Sequence, residues 1–585
     1  LKASFFPNLI QYFRKAFEGL GYIKTFRPSS MRKVFSLMGK REKAAFILLA
    51  LTAIISAGVS FNNFYIGHTQ AAPDVGGEYR EGLLGQPRLL NPLLATSPTD
   101  TAITRLVFSG LYKYDGSGNI LADLAEGMPE ISTDQKQYTV HIKKGVKWHN
   151  DKQLTADDVV FTIKTLQDPG FKSPLRSSWL HTTVEKIDDN TVIFKNRDVS
   201  ALFLQNLTLP MLSKYVWGKV SADTFVLSSN NLEAVGTGPY VIREIKKLPS
   251  GKVQSIKLES FSNYYMGKPY VESLVFNFYD NNEDVINALH SKEVQGFGFI
   301  PLDDSLYLDK KNKNLNILEL PLPQYQAVFL NTKKPLLADK NVRKALSLAT
   351  NAPQILKDVF NDQGKLINGP VLPEQLGISN QTTAPSYDAS AAAALLDAGG
   401  WKVNPADGLR TKGKTILEIT LATNDSPLNA KTAEILIGQW KALNVKVNLN
   451  VLPNRELSDS LIRPRKFDAL LFSQNLGADP DPFAFWHSSQ STDPGLNITG
   501  FANAEADKLI SAARSTINDK ERTDKYVRFQ EIINAEVPAI FLNQTVFVYA
   551  VDSKIKNIAL KNLYSPAYRF YDTPNWNIAE RRVWK

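Results

Sequence analysis

The 585-residue chain contains no cysteine. That absence removes disulfides, thiolate metal sites, cysteine nucleophiles and lipid attachment through a thiol. Histidine is nearly as scarce: the six present (His68, His141, His149, His181, His290, His487) are scattered, and no pair has the helix-face spacing of a zinc motif such as H-E-x-x-H. No G-x-S-x-G elbow marks an activated serine. No catalytic residue, cofactor or metal is therefore expected. Low-complexity blocks and short-period repeats are missing too, and past residue 66 there is no further apolar run of membrane-spanning length.

What is present is the composition of a folded protein, with 43% hydrophobic, 10% aromatic and 22% charged residues. A chain this long calls for two or three lobes rather than one core. The formal net charge of +10 comes from 68 Lys+Arg against 58 Asp+Glu, but it is unevenly spread. Residues 1–43 hold ten basic side chains against Glu18 and Glu42, a net of +8, which leaves +2 for residues 44–585. A nearly neutral body does not fit a polyanion, so no nucleic-acid partner is expected.

The basic stretch runs into AAFILLALTAIISAGV (Ala44–Val59) and then SFNNFYI, uncharged to Ile66. A helix over Ala44–Ile66 has 23 residues, enough to cross roughly 30 Å of hydrocarbon. Lys40, Arg41 and Lys43 put the preceding tail in the cytoplasm. The expectation is a single-pass protein of the cell membrane, with residues 1–43 as a cytoplasmic tail, 44–66 as the anchor, 67–75 as a linker and the body outside, on the periplasmic or extracellular face. The competing reading is a cleaved signal peptide, with small residues at Thr69-Gln70-Ala71-Ala72 and Met31 as an alternative start. The long basic region favours the uncleaved anchor, and either reading exports the body and rules out a soluble cytosolic protein.

Within the body, Tyr138, Val140 and Ile142 alternate with polar residues as a half-buried strand, which leaves His141 on the solvated face. Thr155-Ala-Asp-Asp158 then caps a helix over DDVVFTIKTL. Farther on, TILEITLAT (Thr415–Thr423) and VKVNLNV (Val445–Val451) read as strands around a helix that puts Ala433, Leu436, Ile437, Trp440 and Leu443 on one face. This β-α-β unit implies a parallel pair and lobes of α/β type, whose ligands bind at strand ends or between lobes.

Three segments look like chemistry and have plainer readings. Gly408-Leu-Arg-Thr-Lys-Gly413-Lys414-Thr415 matches the phosphate-loop pattern, but a strand follows where a helix is required, so it reads as a turn. Gly236-Thr-Gly238-Pro239-Tyr240 is too short for a dinucleotide fingerprint and reads as a structural turn. Asp479-Pro480-Asp481-Pro482 brings two carboxylates close, yet proline at alternate positions need not turn them to one cavity, and a loop shaping a pocket is the better reading. Phe483, Phe485, Trp486 and His487 after it are either the wall of a ligand site or ordinary core.

Taken in order, several stretches resemble the extracellular solute-binding proteins of the oligopeptide/dipeptide class, family 5, the receptors of ATP-binding-cassette importers. They are Asn91-Pro92-Leu93, GLYKYDGSGNILADLAEG (Gly110–Gly127), GVKWHNDKQLTADDVVFTI (Gly145–Ile163), VGTGPY (Val235–Tyr240), NYYMGKPYVESLVF (Asn263–Phe276), DKNVRKALSLATN (Asp339–Asn351), LLDAGGW (Leu395–Trp401), FDALLFSQNLGADPDPFAFWHSS (Phe467–Ser489) and VPAIFL (Val537–Leu542). The resemblance spans roughly residues 76–585. It implies an α/β, two-lobed periplasmic-binding-protein-like fold of the class with an extra inserted subdomain, preceded by the one transmembrane helix. Lobe I would combine 76–108, 233–322 and 541–585, with 109–232 inserted and 323–540 as lobe II. It also implies a monomeric receptor that is not an enzyme, closes on a peptide or other small polar solute and delivers it to a permease of the membrane. The positions expected to face the ligand are Gln86, Arg176, Tyr325, Gln326, Asn475, Asp479 and Trp486. An exported hydrolase using Asp479 or Asp481 and a solute-sensing receptor are the alternatives. In peptide-binding relatives an acidic residue shortly before the D-P-D segment takes the peptide's amino group; here that place is Asn475-Leu476-Gly477, so a free amine has no partner unless Asp479 substitutes.

Overall fold

The computed structural model describes residues 38–301, 314–372, 375 and 387–585. Most of the basic tail, Met31 included, lies outside the described residues. By its contacts the chain divides into two units, Leu1–Ala72 with Glu580–Lys585, and Pro73–Ala579.

In the smaller unit the uncharged run forms helix α1 (Lys40–His68), whose 29 residues make roughly 43 Å of axis at 1.5 Å per residue. None of its side chains is buried. Glu42 reaches back to accept the Gly39 N–H at 2.8 Å and closes the first turn. After His68 the chain continues extended into β1 (Thr69–Pro73), which pairs with the C-terminal strand Glu580–Trp584.

The larger unit is organised by one mixed sheet. Its main strands are β2 (Glu78–Leu84), β3 (Tyr240–Lys247), β4 (Val253–Ser260), β5 (Ser273–Tyr279), β6 (Gly296–Gly298), β7 (Leu315–Leu330), β8 (Glu418–Asn424), β9 (Lys446–Leu452), β10 (Ala469–Asn475) and β11 (Ala539–Asp552). In space they run β9-β8-β10-β7-β11-β6-β2-β5-β4-β3. The long antiparallel strands β7 and β11 pair in two stretches, Leu315–Pro321 with Asp552–Val546 and Tyr325–Phe329 with Gln544–Ala539, and lose register in between. Pro321 and Pro323 have no N–H to give, which interrupts the ladder there. Before the break β11 is flanked by β6 (Gly296↔Val551), and beyond it β7 is flanked by β10 (Gln324↔Asn475). The sheet therefore has two halves, joined through β7 and β11. The core is divided in the same way: one cluster gathers Tyr79, Leu106, Trp148 and Trp576, while two others cover opposite faces of the second half, around Trp440 and around Trp486 with Phe529.

Between β2 and β3 the chain builds a separate four-stranded sheet from Glu130–Ile131, Gln137–His141, Thr191–Asn196 and Thr182–Asp188. His141 is exposed, as alternation predicts. Helix α2 (Ala156–Gln167) packs against this sheet. Asp158 accepts the N–H of Thr155 at 3.0 Å and, with its other oxygen, that of Lys214 at 2.8 Å. The T-A-D-D signal is thus a helix cap that also holds the start of the short helix Lys214–Trp217.

In the second half, β8, α3 (Pro427–Ala442) and β9 form the expected unit, with β8 and β9 parallel from Glu418↔Lys446 to Asn424↔Leu452. Ala433, Leu436, Trp440 and Leu443 are buried, and Ile437 packs half-buried beside them. Thr415–Ile416 leaves the strand and turns back on Arg410–Lys412 in a small hairpin. Gly413 sits in that turn at φ +62°, and Gly408 precedes it in another, so the phosphate-loop match is a pair of turns.

The turn at Gly236-Thr-Gly238 is held by close approach. A Cβ on Gly236 would collide with the Val107 carbonyl, and one on Gly238 with that of Leu106, at the end of helix Pro98–Val107. His149 fastens the turn: Nδ1 accepts the Gly236 N–H at 3.3 Å and Nε2 donates to the Gly238 carbonyl at 3.0 Å. This pattern needs the neutral ring, and burial lowers the His149 pKa from 6.5 to about 4. A depressed folded-state pKa gives stability that is complete above about 6.5 and is lost as the pH falls through about 4. Thermal denaturation between pH 7 and 4 is expected to show this loss, and a His149→Asn variant to lack that part of the slope; an identical slope in the variant contradicts the assignment.

Candidate functional site

β10 ends at Asn475, whose Oδ1 accepts the Gly477 N–H at 3.0 Å. Gly477 then takes φ +78°, a turn that glycine makes without steric cost, and the chain continues into Ala478-Asp479-Pro480-Asp481-Pro482. Two helices receive it. α4 (Ala504–Arg514) starts at Asn503, whose side chain accepts the Ala506 N–H, and α5 (Asp519–Glu536) starts at Asn518, whose side chain accepts the Glu521 N–H. Arg522, in the first turn of α5, places Nη2 2.7 and 2.8 Å from the two oxygens of Asp479. Asp481 turns elsewhere and meets Nε of Arg514 at 3.1 Å, and the Arg514 guanidinium also lies 4.3 Å from the centre of the Phe483 ring. The adjacent carboxylates are therefore divided between two arginines on two helices.

Only 4% of the Arg522 side chain and 16% of Asp479 remain exposed. Burial lifts Asp479 above the ordinary carboxyl range, and the guanidinium pulls it back. Arg522 is itself raised by the carboxylate, against its own desolvation. The double contact is that of an ionised pair.

This pair forms part of the wall of a cavity of about 540 Å³. From the segment between β2 and β3 come Tyr114, Asn119 and Gln205; from the second half come Gln375, Asp479 and Arg522; Tyr564 closes a side. Tyr114 and Tyr564 stack with ring centres 4.6 Å apart. Gly118, at φ +98°, lets the chain pass the Tyr564 hydroxyl where any Cβ would collide. Burial raises Tyr564 to about 12, so its hydroxyl stays protonated as a donor at neutral pH. The Gln205 Oε1 is buried without a hydrogen-bond partner, an acceptor for which a donor in the cavity would relieve a cost of about 1–3 kcal/mol. A neighbouring cavity of about 450 Å³ lies between residues 177–206 and Phe483, Ser511 and Arg514. The Ala201 N–H bonds to the Arg514 carbonyl at 3.0 Å, holding the two sides together.

Of the seven positions expected to face a ligand, the structure places Asp479 in the wall of the larger cavity. Gln86 uses its amide on the backbone of Val253 in β4. Arg176 donates to the Gln167 carbonyl at 2.8 Å. Tyr325 and Trp486 are buried and packed around Phe541 and Phe329. Gln326 bonds to Asn429 at 2.8 Å, and Asn475 makes the turn described above. Tyr114, Gln205, Gln375, Arg522 and Tyr564 were not singled out in the sequence. Tyr114 falls inside a family stretch, but Arg522 lies in DKERTDKYVRF, a run that reads as solvated charge.

A polar and aromatic cavity, walled from separate parts of the chain and holding an already neutralised charge pair, defines a solute-binding protein of α/β type. The chain belongs to the bacterial extracellular solute-binding proteins, family 5, whose middle-region model matches residues 119–496. It is 28% identical to the oligopeptide-binding protein AppA of Bacillus subtilis over 555 residues, covering 92% of this chain and 100% of the relative. It is 26% identical to the dipeptide-binding protein of Escherichia coli (82% and 91% covered) and 26% to heme-binding protein A of Haemophilus influenzae (86% and 91%). Among solved structures it matches the B. subtilis AppA nonapeptide complex at 28% identity and TM-score 0.69, covering 87% and 100% of the two chains. The substrate-binding protein CtaP of Listeria monocytogenes gives 25% and 0.75, covering 86% and 99%. The fold is the two-lobed periplasmic-binding-protein type, with an apolar N-terminal helix ahead of it.

Arg522→Ala leaves a buried carboxylate without its partner, at an expected cost of about 3–5 kcal/mol. Asp479→Ala strands the arginine in the same way, and the double variant is expected to cost less than the sum of the two. Urea unfolding of the four proteins measures the coupling; strictly additive losses would show that the pair is not an energetic unit.

Proposed function

We propose that this chain is the substrate-binding receptor of an ATP-binding-cassette importer, held in the cell membrane by α1 with its body outside, and that it captures short peptides or similar polar solutes in the cavity beside Asp479 for delivery to a permease. The observation that carries the reading is that cavity, walled by tyrosines, amides, a buried ion pair and the exposed Asp519 from two parts of the chain, in a family whose similar members include oligopeptide- and dipeptide-binding proteins. Lobe I would comprise 76–108, 233–322 and 541–585, the inserted subdomain 109–232 and lobe II 323–540. Closure would bend β7 and β11 where their ladder is interrupted. The chain would act without covalent chemistry: Asp479, bound through both oxygens to Arg522, is held as a structural anion rather than as a free acid or base.

The same bond bears on the ligand. A buried ammonium needs a carboxylate of its own, and Asp479 is already shared with Arg522, while Asn475-Leu476-Gly477 brings no acid and Asp519, the other carboxylate of the wall, is 79% exposed to solvent rather than buried with a ligand. The preferred solutes are therefore peptides with a blocked amino terminus, or polar molecules without a free amine. Titration calorimetry with matched free and N-acetylated tri- to pentapeptides tests this. Acetylated forms are expected to bind at least as tightly; a tenfold preference for the free amine would overturn the ligand assignment, and failure of folded protein to bind any peptide or polar solute would overturn the receptor reading.

A further inference from the structure

Helix α1 ends without a glycine or asparagine cap: the chain leaves it extended through Thr69. The carbonyls of a last helical turn have no intrahelical partners, and close to hydrocarbon water is a poor substitute. Here the other end of the chain supplies them. Arg582 donates Nη2 to the carbonyls of Ile66 (3.1 Å) and Thr69 (3.0 Å) and Nε to the Thr69 hydroxyl (2.7 Å). Lys585 donates Nζ to the Gly67 carbonyl (3.0 Å) and its main-chain N–H to that of His68 (3.0 Å). Two cations thus sit at the negative end of the helix dipole.

These bonds all end on carbonyls or a hydroxyl, and none of them on a carboxylate. Arg581 beside them is exposed, and Glu580 is the one acidic side chain in the same six-residue segment. Trp584 lies 6.4 Å from the Phe64 ring and 6.0 Å from that of Tyr65, edge-on to both. Phe61, Phe64 and Trp584 stay 67%, 53% and 58% exposed. Aromatic rings and basic groups gathered at the end of a membrane-crossing helix match the headgroup layer, where amphipathic rings settle and anionic lipids attract Lys and Arg.

We propose that the C-terminal strand with Lys585 is a second membrane-contact element, in which Arg581, Arg582 and Lys585 hold anionic phospholipid headgroups on the outer face while Trp584 lies among those headgroups. This rests on the reading of α1 as a membrane anchor. The element would keep the end of the anchor capped and register it against the lipid surface.

The test uses the full chain in nanodiscs of phosphatidylcholine, with or without one third phosphatidylglycerol, each doped with a lipid carrying a shallow nitroxide quencher. Quenching of tryptophan emission is expected to be larger in the wild type than in Trp584→Phe. The difference should rise at least twofold with phosphatidylglycerol, and Arg581→Gln/Lys585→Gln, which leaves only Arg582, should at least halve that rise. Equal quenching in wild type and Trp584→Phe, with the chain retained in the discs, overturns this proposal alone. A rise with phosphatidylglycerol that survives undiminished in the double variant also overturns it, by assigning the lipid effect to groups other than these. Release of the chain from the discs overturns the anchor reading beneath it.

Discussion

The larger unit depends on one strand pair. β7 and β11 run past each other on both sides of an interruption at Pro321 and Pro323, and each half of the sheet is built outward from one stretch of that pair. Because a proline cannot donate to the ladder, the chain keeps two paired strands there without the stiffness of an unbroken one. The hydrophobic clusters respect the division, since the side chains around Tyr79 and those around Trp440 and Trp486 belong to separate cores. The cavity is walled by residues from both sides of that division.

Electrostatics narrows what such a cavity accepts. Its wall contains a carboxylate and a guanidinium that neutralise each other, so beside the solvent-exposed Asp519 it presents hydroxyls, amides and stacked rings to a solute. Taking both ions out of water is costly and is repaid through their mutual contact, so either one alone is a liability. The pair therefore ties the loop after β10 to α5, and the shape of the site depends on its being intact.

What was legible in the sequence was what local physics determines. The β-α-β unit around Trp440, the cap at Thr155 and Asp158, the outward face of His141 and the apolar run of α1 all follow from periodicity and capping within a few residues. The ordered motifs identified the family, yet the stretch Gly145–Ile163 does its work inside the fold, through Trp148 in the core and Asp158 at a cap. Site residues were much less legible, because the direction of a side chain is a tertiary fact. Gln86 and Gln326 were reasonable polar candidates, and each amide turns out to be used on a neighbour within the fold. Arg522 sits among exposed charges in the sequence, and its 4% exposure arises from packing against a loop some forty residues earlier.

The central claim is that this chain closes on a solute about the β7–β11 interruption. Thr182 and Ser511 both line the second cavity, and Thr183 and Lys508, close to them in the chain, are exposed. Since the chain has no cysteine of its own, nitroxides on Thr183→Cys and Lys508→Cys would be unique, and the distance between them can be read by pulsed electron resonance on the full chain. The account predicts a longer, broader distribution in protein stripped of solute and a single shorter distance once a bound solute is restored. An unchanged distribution, with binding of that solute verified on the same sample, would contradict it.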